Sequence, residues 1–172
     1  GQDAFYGVIF RGSGGRVENC NVRGFRGLSS AGARAINVIN AAGFSPGAVD
    51  VTILNSTFAD NERSIVLVGN ENSPATLRVT FNIEGNTFTG LGPNPSRFHN
   101  AILIVTGAGG LIKGNNMSGY SYTGNLTSFS SAILAQDGLV RYVPLQPIRY
   151  EGNVFADNEH HLVTITANNS QI

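Results

Sequence analysis

A six-residue signature returns five times along this chain. It reads Val17-Glu-Asn-Cys-Asn-Val22, Ile53-Leu-Asn-Ser-Thr-Phe58, Ile83-Glu-Gly-Asn-Thr-Phe88, Ile112-Lys-Gly-Asn-Asn-Met117 and Tyr150-Glu-Gly-Asn-Val-Phe155. Successive copies end 36, 30, 29 and 38 residues apart. Most copies run bulky residue, charged residue, Gly/Asn step, one further residue, bulky residue; Leu54 departs at the charged position. A Gly/Asn step tolerates a left-handed backbone that β-branched residues avoid, so it bends a strand sharply without ending its sheet. Repetition at this spacing constrains the fold more than any single motif, because each unit can bury its apolar face only on its neighbours.

A short apolar run accompanies each copy: Tyr6–Phe10, Ala35–Ile39, Ser64–Val68, Ala101–Val105 and Ala132–Gln136, with a sixth run, His161–Ile165, after the last. The unit is therefore strand, turn, strand, Gly/Asn bend, strand, loop. No long helical periodicity interrupts it, and only Ser29–Ala42 has an ambiguous pattern. The segments beginning at Arg34 and Arg63 form a near-tandem duplication about 30 residues long. The pentapeptide Phe-Ala-Asp-Asn-Glu also occurs twice, at Phe58–Glu62 and Phe155–Glu159. It leads from a third strand into the next coil. Asp and Asn suit such a turn, and a ligand or catalytic role for the acidic pair is the alternative.

These residues resemble the parallel β-helix of the pectate-lyase-like superfamily. The resemblance covers nearly the whole chain and implies an all-β, single-stranded, right-handed parallel β-helix. It would have three sheets and about five coils in one domain over residues 1–172, with no clear capping helix. At the spacing of adjacent strands the stack is on the order of 25 Å tall. In that family the bend asparagines stack into a ladder; Asn86, Asn115 and Asn153 match the position, while Ser56 and Cys20 interrupt it. The fold hosts many activities, so the resemblance leaves function open.

In enzymes of that family the substrate groove lies on the outer face of the first sheet. Aligning the six runs gives two inward columns, Val8/Ile36/Ile65/Ile102/Ile133/Leu162 and Phe10/Val38/Leu67/Ile104/Ala135/Thr164. The intervening positions should face outward. They are mostly aliphatic, with Ile9, Val66, Leu103, Leu134 and Val163 as interface candidates, plus a small column of Gly7, Ala35, Ser64, Ala101, Ala132 and His161. Polysaccharide lyases need charge neutralisation and a base, and glycosidases need paired carboxylates; neither lies in register here, and no catalytic residue is assigned. An apolar outer stripe is either covered by the chain's own loops, Gly90–Asn100 and Ser118–Ser131, or by a partner.

Composition narrows the partners. Only 13% of residues are charged and the net charge is zero, against a usual ~25% charged. That argues against a nucleic-acid groove, and no apolar run is long enough to span a bilayer. A lone cysteine, Cys20, excludes an internal disulfide. There is neither a signal peptide nor an initiator Met, which suggests a processed chain or a piece of a longer one. Sequons at Asn55, Asn116, Asn125 and Asn168, in an Asn-, Ser-, Thr- and Gly-rich chain, favour an extracellular or cell-surface setting. Neighbouring His160 and His161 point to opposite strand faces, so no metal site is expected, and no cofactor. Glu84, Lys113 and Glu151 form an exposed charge ladder beside the bend. Tyr120, Tyr122 and Phe129 are candidates for stacking on sugar rings, or else cover the apolar sheet.

Two functions compete. One is a non-catalytic structural or binding module that self-assembles or packs on a partner, as scaffold, filament or adhesin. Its partners would be further copies or neighbouring coils of a longer chain, since open coil ends invite pairing. The other is a carbohydrate-active β-helix enzyme (lyase, hydrolase or epimerase) or a fragment of one.

Overall fold

The computed structural model describes residues 6–27, 32–40, 48–69, 79–125, 128–136, 147–165 and 170–171. Three sheets, every pairing in them parallel, wind around one core, each coil contributing one strand to each sheet. The first sheet holds Tyr6–Arg11, Arg34–Ile39, Arg63–Val68, Asn100–Val105, Ser131–Gln136 and His160–Ile165. The second holds Gly15–Glu18, Val49–Leu54, Val79–Glu84, Ala108–Lys113, Ile148–Glu151 and Ser170–Gln171; the third holds Asn21–Arg23, Thr57–Ala59, Thr87–Asn94, Asn116–Tyr122 and Val154–Ala156. This is a parallel β-helix of about five coils, and the described residues contain no helix. The ambiguous stretch Ser29–Ala42 contains a first-sheet strand, Arg34–Ile39; its residues 29–31 and 41–42 lie outside the described residues.

The bend explains the repeat. In every copy the residue after the charged position is left-handed: Asn19, Asn55, Gly85, Gly114 and Gly152 have φ of 55°, 47°, 67°, 59° and 57°. Gly enters that region freely, and Asn and Asp at lower cost than other side chains. The residue after it points inward along the corner. Asn86 N–H donates to Asn115 Oδ1 at 2.9 Å, and Asn115 N–H donates to Asn153 Oδ1 at 3.0 Å. Each amide in turn donates to the coil before it, Asn86 to Ile53 O, Asn115 to Ile83 O and Asn153 to Ile112 O. Ser56 continues the ladder by accepting from Cys20 N–H at 3.1 Å and donating to Leu54 O.

The two bulky signature positions form core columns. Ile53, Ile83 and Ile112 stack in register on the second sheet and are fully buried; on the third sheet Phe58 and Phe88 stack at 4.8 Å between ring centroids. The inward columns of the first sheet pair as their sequence alignment predicts, Ile36 to Ile65, Ile65 to Ile102 and Ile102 to Ile133. One glycine is dictated by close approach: a Cβ on Gly110 would lie 2.0 Å from the Phe81 carbonyl oxygen.

Two expectations about the first sheet need correction. Ala101 and Ala132, assigned above to an outward column, belong to the main core; ladder pairing skips the second residue of each strand, so strict alternation does not hold there. Val66, Leu103 and Leu134 do face away from that core, but they are 0%, 7% and 8% exposed. They form a second apolar cluster with Val68, Val105, Val163 and Phe129, and Phe129 comes from the Ser118–Ser131 loop. The stripe is thus a covered layer of the chain itself. Of the interface candidates, Ile9 is exposed and Val163 half-buried.

Candidate functional site

The duplicated pentapeptide builds the same clamp twice. Its aspartates, Asp60 and Asp157, are left-handed, with φ of 56° and 52°. In the first copy, Asn61 Nδ2 donates to Val22 O at 2.9 Å while Asn61 Oδ1 accepts from Phe25 N–H at 3.0 Å. In the second, Asn158 Nδ2 donates to Met117 O and Asn158 Oδ1 accepts from Tyr120 N–H, both at 3.0 Å. The Glu62 and Glu159 amides each donate at 2.8 Å, to Phe25 O and Tyr120 O. Each glutamate then reaches into the loop of the preceding coil. Glu62 Oε2 accepts from Gly27 N–H and Ala33 N–H, and Glu159 Oε2 from Tyr122 N–H and Ser130 N–H. The motif is a structural staple that holds loop backbone one coil away, and charge-assisted bonds to backbone amides are among the stronger ones.

The second clamp borders a cavity of about 330 Å³ lined by Tyr122, Asn125, Ser128, Phe129, Glu159 and His160, among others. Two of the three aromatic candidates therefore meet at one site. Tyr120 does not join them: it is fully buried in the main core, 5.3 Å from the His99 ring, and burial pushes its phenol up. An outward-looking loop position was expected, but a bulge between Ser118 and Tyr120 turns this side chain inward. Phe98, the other loop aromatic, lies edge-on to Tyr122 at 6.4 Å and beneath the Arg63 guanidinium at 5.7 Å.

The two adjacent histidines diverge. His160 Nε2 lies 3.8 Å from Glu159 Oε1 and its ring meets Phe129 edge-on at 5.4 Å, whereas His161 stacks flat on Phe155 at 5.3 Å. Among the described residues no three His, Cys, Asp or Glu side chains converge. A second hollow of about 520 Å³, lined by Tyr150, Phe155, His161 and Leu162 with Glu159 and His160, opens on the last coil.

The third histidine is internal. His99 is fully buried, its Nε2 3.0 Å from Ser121 O, with Nδ1 accepting from Leu91 N–H. Burial holds its imidazole below the ordinary range, against the opposing pull of the Ser121 and Gly92 backbone and of Glu62 and Glu159.

Elsewhere, Glu84, Lys113 and Glu151 stand in register, with Lys113 Nζ 3.9 Å from Glu151 Oε2 in an exposed pair that contributes little. Asn55, Asn116 and Asn125 are exposed, and Asn168 lies outside the described residues. No described helix is long and apolar enough to cross a membrane. Comparison with family models, with curated proteins and with solved structures found no match to the chain.

Proposed function

We propose that this chain is a non-catalytic structural module, of an extracellular or cell-surface protein, that stacks on a second copy of itself through its coil ends. The observation that carries this reading is where the core stops being covered. The inward columns are buried in the middle coils. They are only partly buried at Phe10, Val17 and Val22 on the first coil and at Tyr150, Phe155 and Leu162 on the last. Every large exposed apolar side chain among the described residues also sits on these two coils: Tyr6, Val8 and Ile9 on one, Val154 and Ile165 on the other.

The two ends are complementary by construction. A copy placed on the last coil at the same pitch would continue the columns, Val8 over Leu162 and Phe10 over Thr164. It would also pair the outermost described strands of two sheets, Tyr6–Arg11 with His160–Ile165 and Gly15–Glu18 with Ser170–Gln171. The contact joins unlike surfaces, so it grows a filament unless it closes into a ring. The aliphatic outer column of the first sheet, with no paired carboxylates in register, supports the non-catalytic reading over a carbohydrate-active one.

Sedimentation velocity on two variants tests this. Val8→Glu spoils one end and Leu162→Glu the other, at positions solvated enough to tolerate charge. Each variant alone should be monomeric, and an equimolar mixture should form dimers through the two intact ends. Assembly that survives in either variant alone, or a mixture that stays monomeric while the parent associates, would refute the end-to-end contact.

A further inference from the structure

The near-tandem duplication that begins at Arg34 and Arg63 places two arginines in register at the start of neighbouring first-sheet strands. Like charges directly opposite one another destabilise a sheet. The other coils carry Tyr6, Asn100, Ser131 and His160 at this position. Both arginine-bearing coils are interior to the stack, with a described coil on either side. Each guanidinium lies over an aromatic ring, Arg34 over Tyr6 at 5.8 Å and Arg63 over Phe98 at 5.7 Å. Arg34 Nη1 donates to Asn37 Oδ1 at 3.0 Å. Arg34 Nε and Asn37 Nδ2 are buried donors with no acceptor, and Asn37 is 0% exposed. Among the described residues no carboxylate pairs with Arg34. Burial and the repulsion of Arg34 hold the Arg63 guanidinium below its ordinary value, against the weaker pull of Glu62.

We propose that Arg34 and Asn37, with the charge of Arg63 beside them, form a binding site for a small carboxylate anion on the outer face of the first sheet. Asn37 stands in register with Val66 on that face. A buried donor without an acceptor is costly, and one anionic acceptor would satisfy both donors and offset the repulsion between the two arginines. The edge of a guanidinium that carries Nε–H presents two parallel N–H groups, which match the two oxygens of a carboxylate. Tyr6 takes the face of the Arg34 guanidinium and Asn37 takes Nη1, so the Nε edge is what remains for a ligand. The two donor atoms are buried while Arg34 as a whole is half-buried. The site therefore suits an anion of a few atoms that enters beside the guanidinium. The inference is independent of end-to-end stacking and holds for a monomer.

The test is NMR titration of the full chain with sodium acetate at neutral pH and constant ionic strength, chloride making up the difference, alongside neutral acetamide and inorganic phosphate. Binding should be weak, roughly millimolar. Saturable shifts should appear at Arg34 Nε–H and at the Asn37 side-chain amide, and acetamide should produce none. Acetate should also raise the urea midpoint above that in chloride of equal ionic strength, since it binds the folded chain. Arg34→Gln removes the guanidinium and should abolish both responses. Should that variant misfold, Asn37→Asp sets a carboxylate of the chain itself beside Arg34 and should abolish the acetate response as well. Equal shifts with acetamide, shifts that chloride reproduces (an adventitious ion only), a response to phosphate but none to acetate, or an unaltered acetate response in either variant would each overturn the proposal.

Discussion

Replacing Asn115 by alanine tests the ladder that sets the repeat. The Asn115 side chain is fully buried and makes four bonds. Its Oδ1 accepts from Asn86 N–H at 2.9 Å and Asn86 Nδ2 at 3.0 Å; its Nδ2 donates to Ile83 O at 2.9 Å and Asn153 Oδ1 at 3.0 Å. Two of the partners keep a bond in the variant: Asn86 Nδ2 still reaches Ile53 O, and Asn153 Oδ1 still accepts from Asn115 N–H. Asn86 N–H loses its acceptor inside the corner, at about 1–3 kcal/mol, and the Ile83 carbonyl loses a donor, at about 1 kcal/mol. The expected loss is therefore about 2–4 kcal/mol, large against a typical total of about 5–15 kcal/mol.

Serine is the informative comparison, because Ser56 already fills this position in another coil and accepts the neighbouring N–H at 3.1 Å. Asn115→Ser should recover the Asn86 bond and cost roughly half as much. Urea unfolding by linear extrapolation measures both. Amide exchange at Asn86 localises the effect if the coils unfold in parts. An alanine variant within about 0.5 kcal/mol of the parent, or alanine and serine variants with equal midpoints, would refute the reasoning.

Two further outcomes are expected. The unfolded chain takes up a proton near the ordinary histidine value of about 6.5, before buried His99 does. Stability is thus full above about pH 6.5 and is lost as pH falls through the depressed folded value, and His99→Gln should flatten this dependence in urea midpoints at about pH 7.5 and 5.5. Leu103→Ala, in the covered outer layer, should lower stability by about 2–4 kcal/mol in the same assay and leave particle size unchanged.

The architecture was legible because its determinants are local and recur. A bend that needs a left-handed residue shows as Gly or Asn at one position in five copies, and bulky residues on either side show which positions stack. The first-sheet register followed from aligning six apolar runs, since side chains one coil apart must meet. The small column was misread because strict alternation fails where the ladder skips a residue, and nothing in Ala101 or Ala132 reports that. The covered stripe was half legible: aliphatic residues on both strand faces signal double burial, but Phe129 reaches them through a loop whose path no local rule supplies.

The clamp was hidden differently. Its repetition at Glu62 and Glu159 was visible and correctly suggested a turn. Its partners are backbone amides 29 to 37 residues away, which carry no side-chain signature.

The central claim is that the ends of this coil stack meet a second copy of the chain. Light scattering coupled to size exclusion, with negative-stain microscopy of the same peak across a concentration series, tests it most directly. The account predicts masses that rise with concentration in whole-chain steps, and rods of constant width that lengthen along one axis. A single monomer mass at every concentration, or particles that grow sideways, would contradict it.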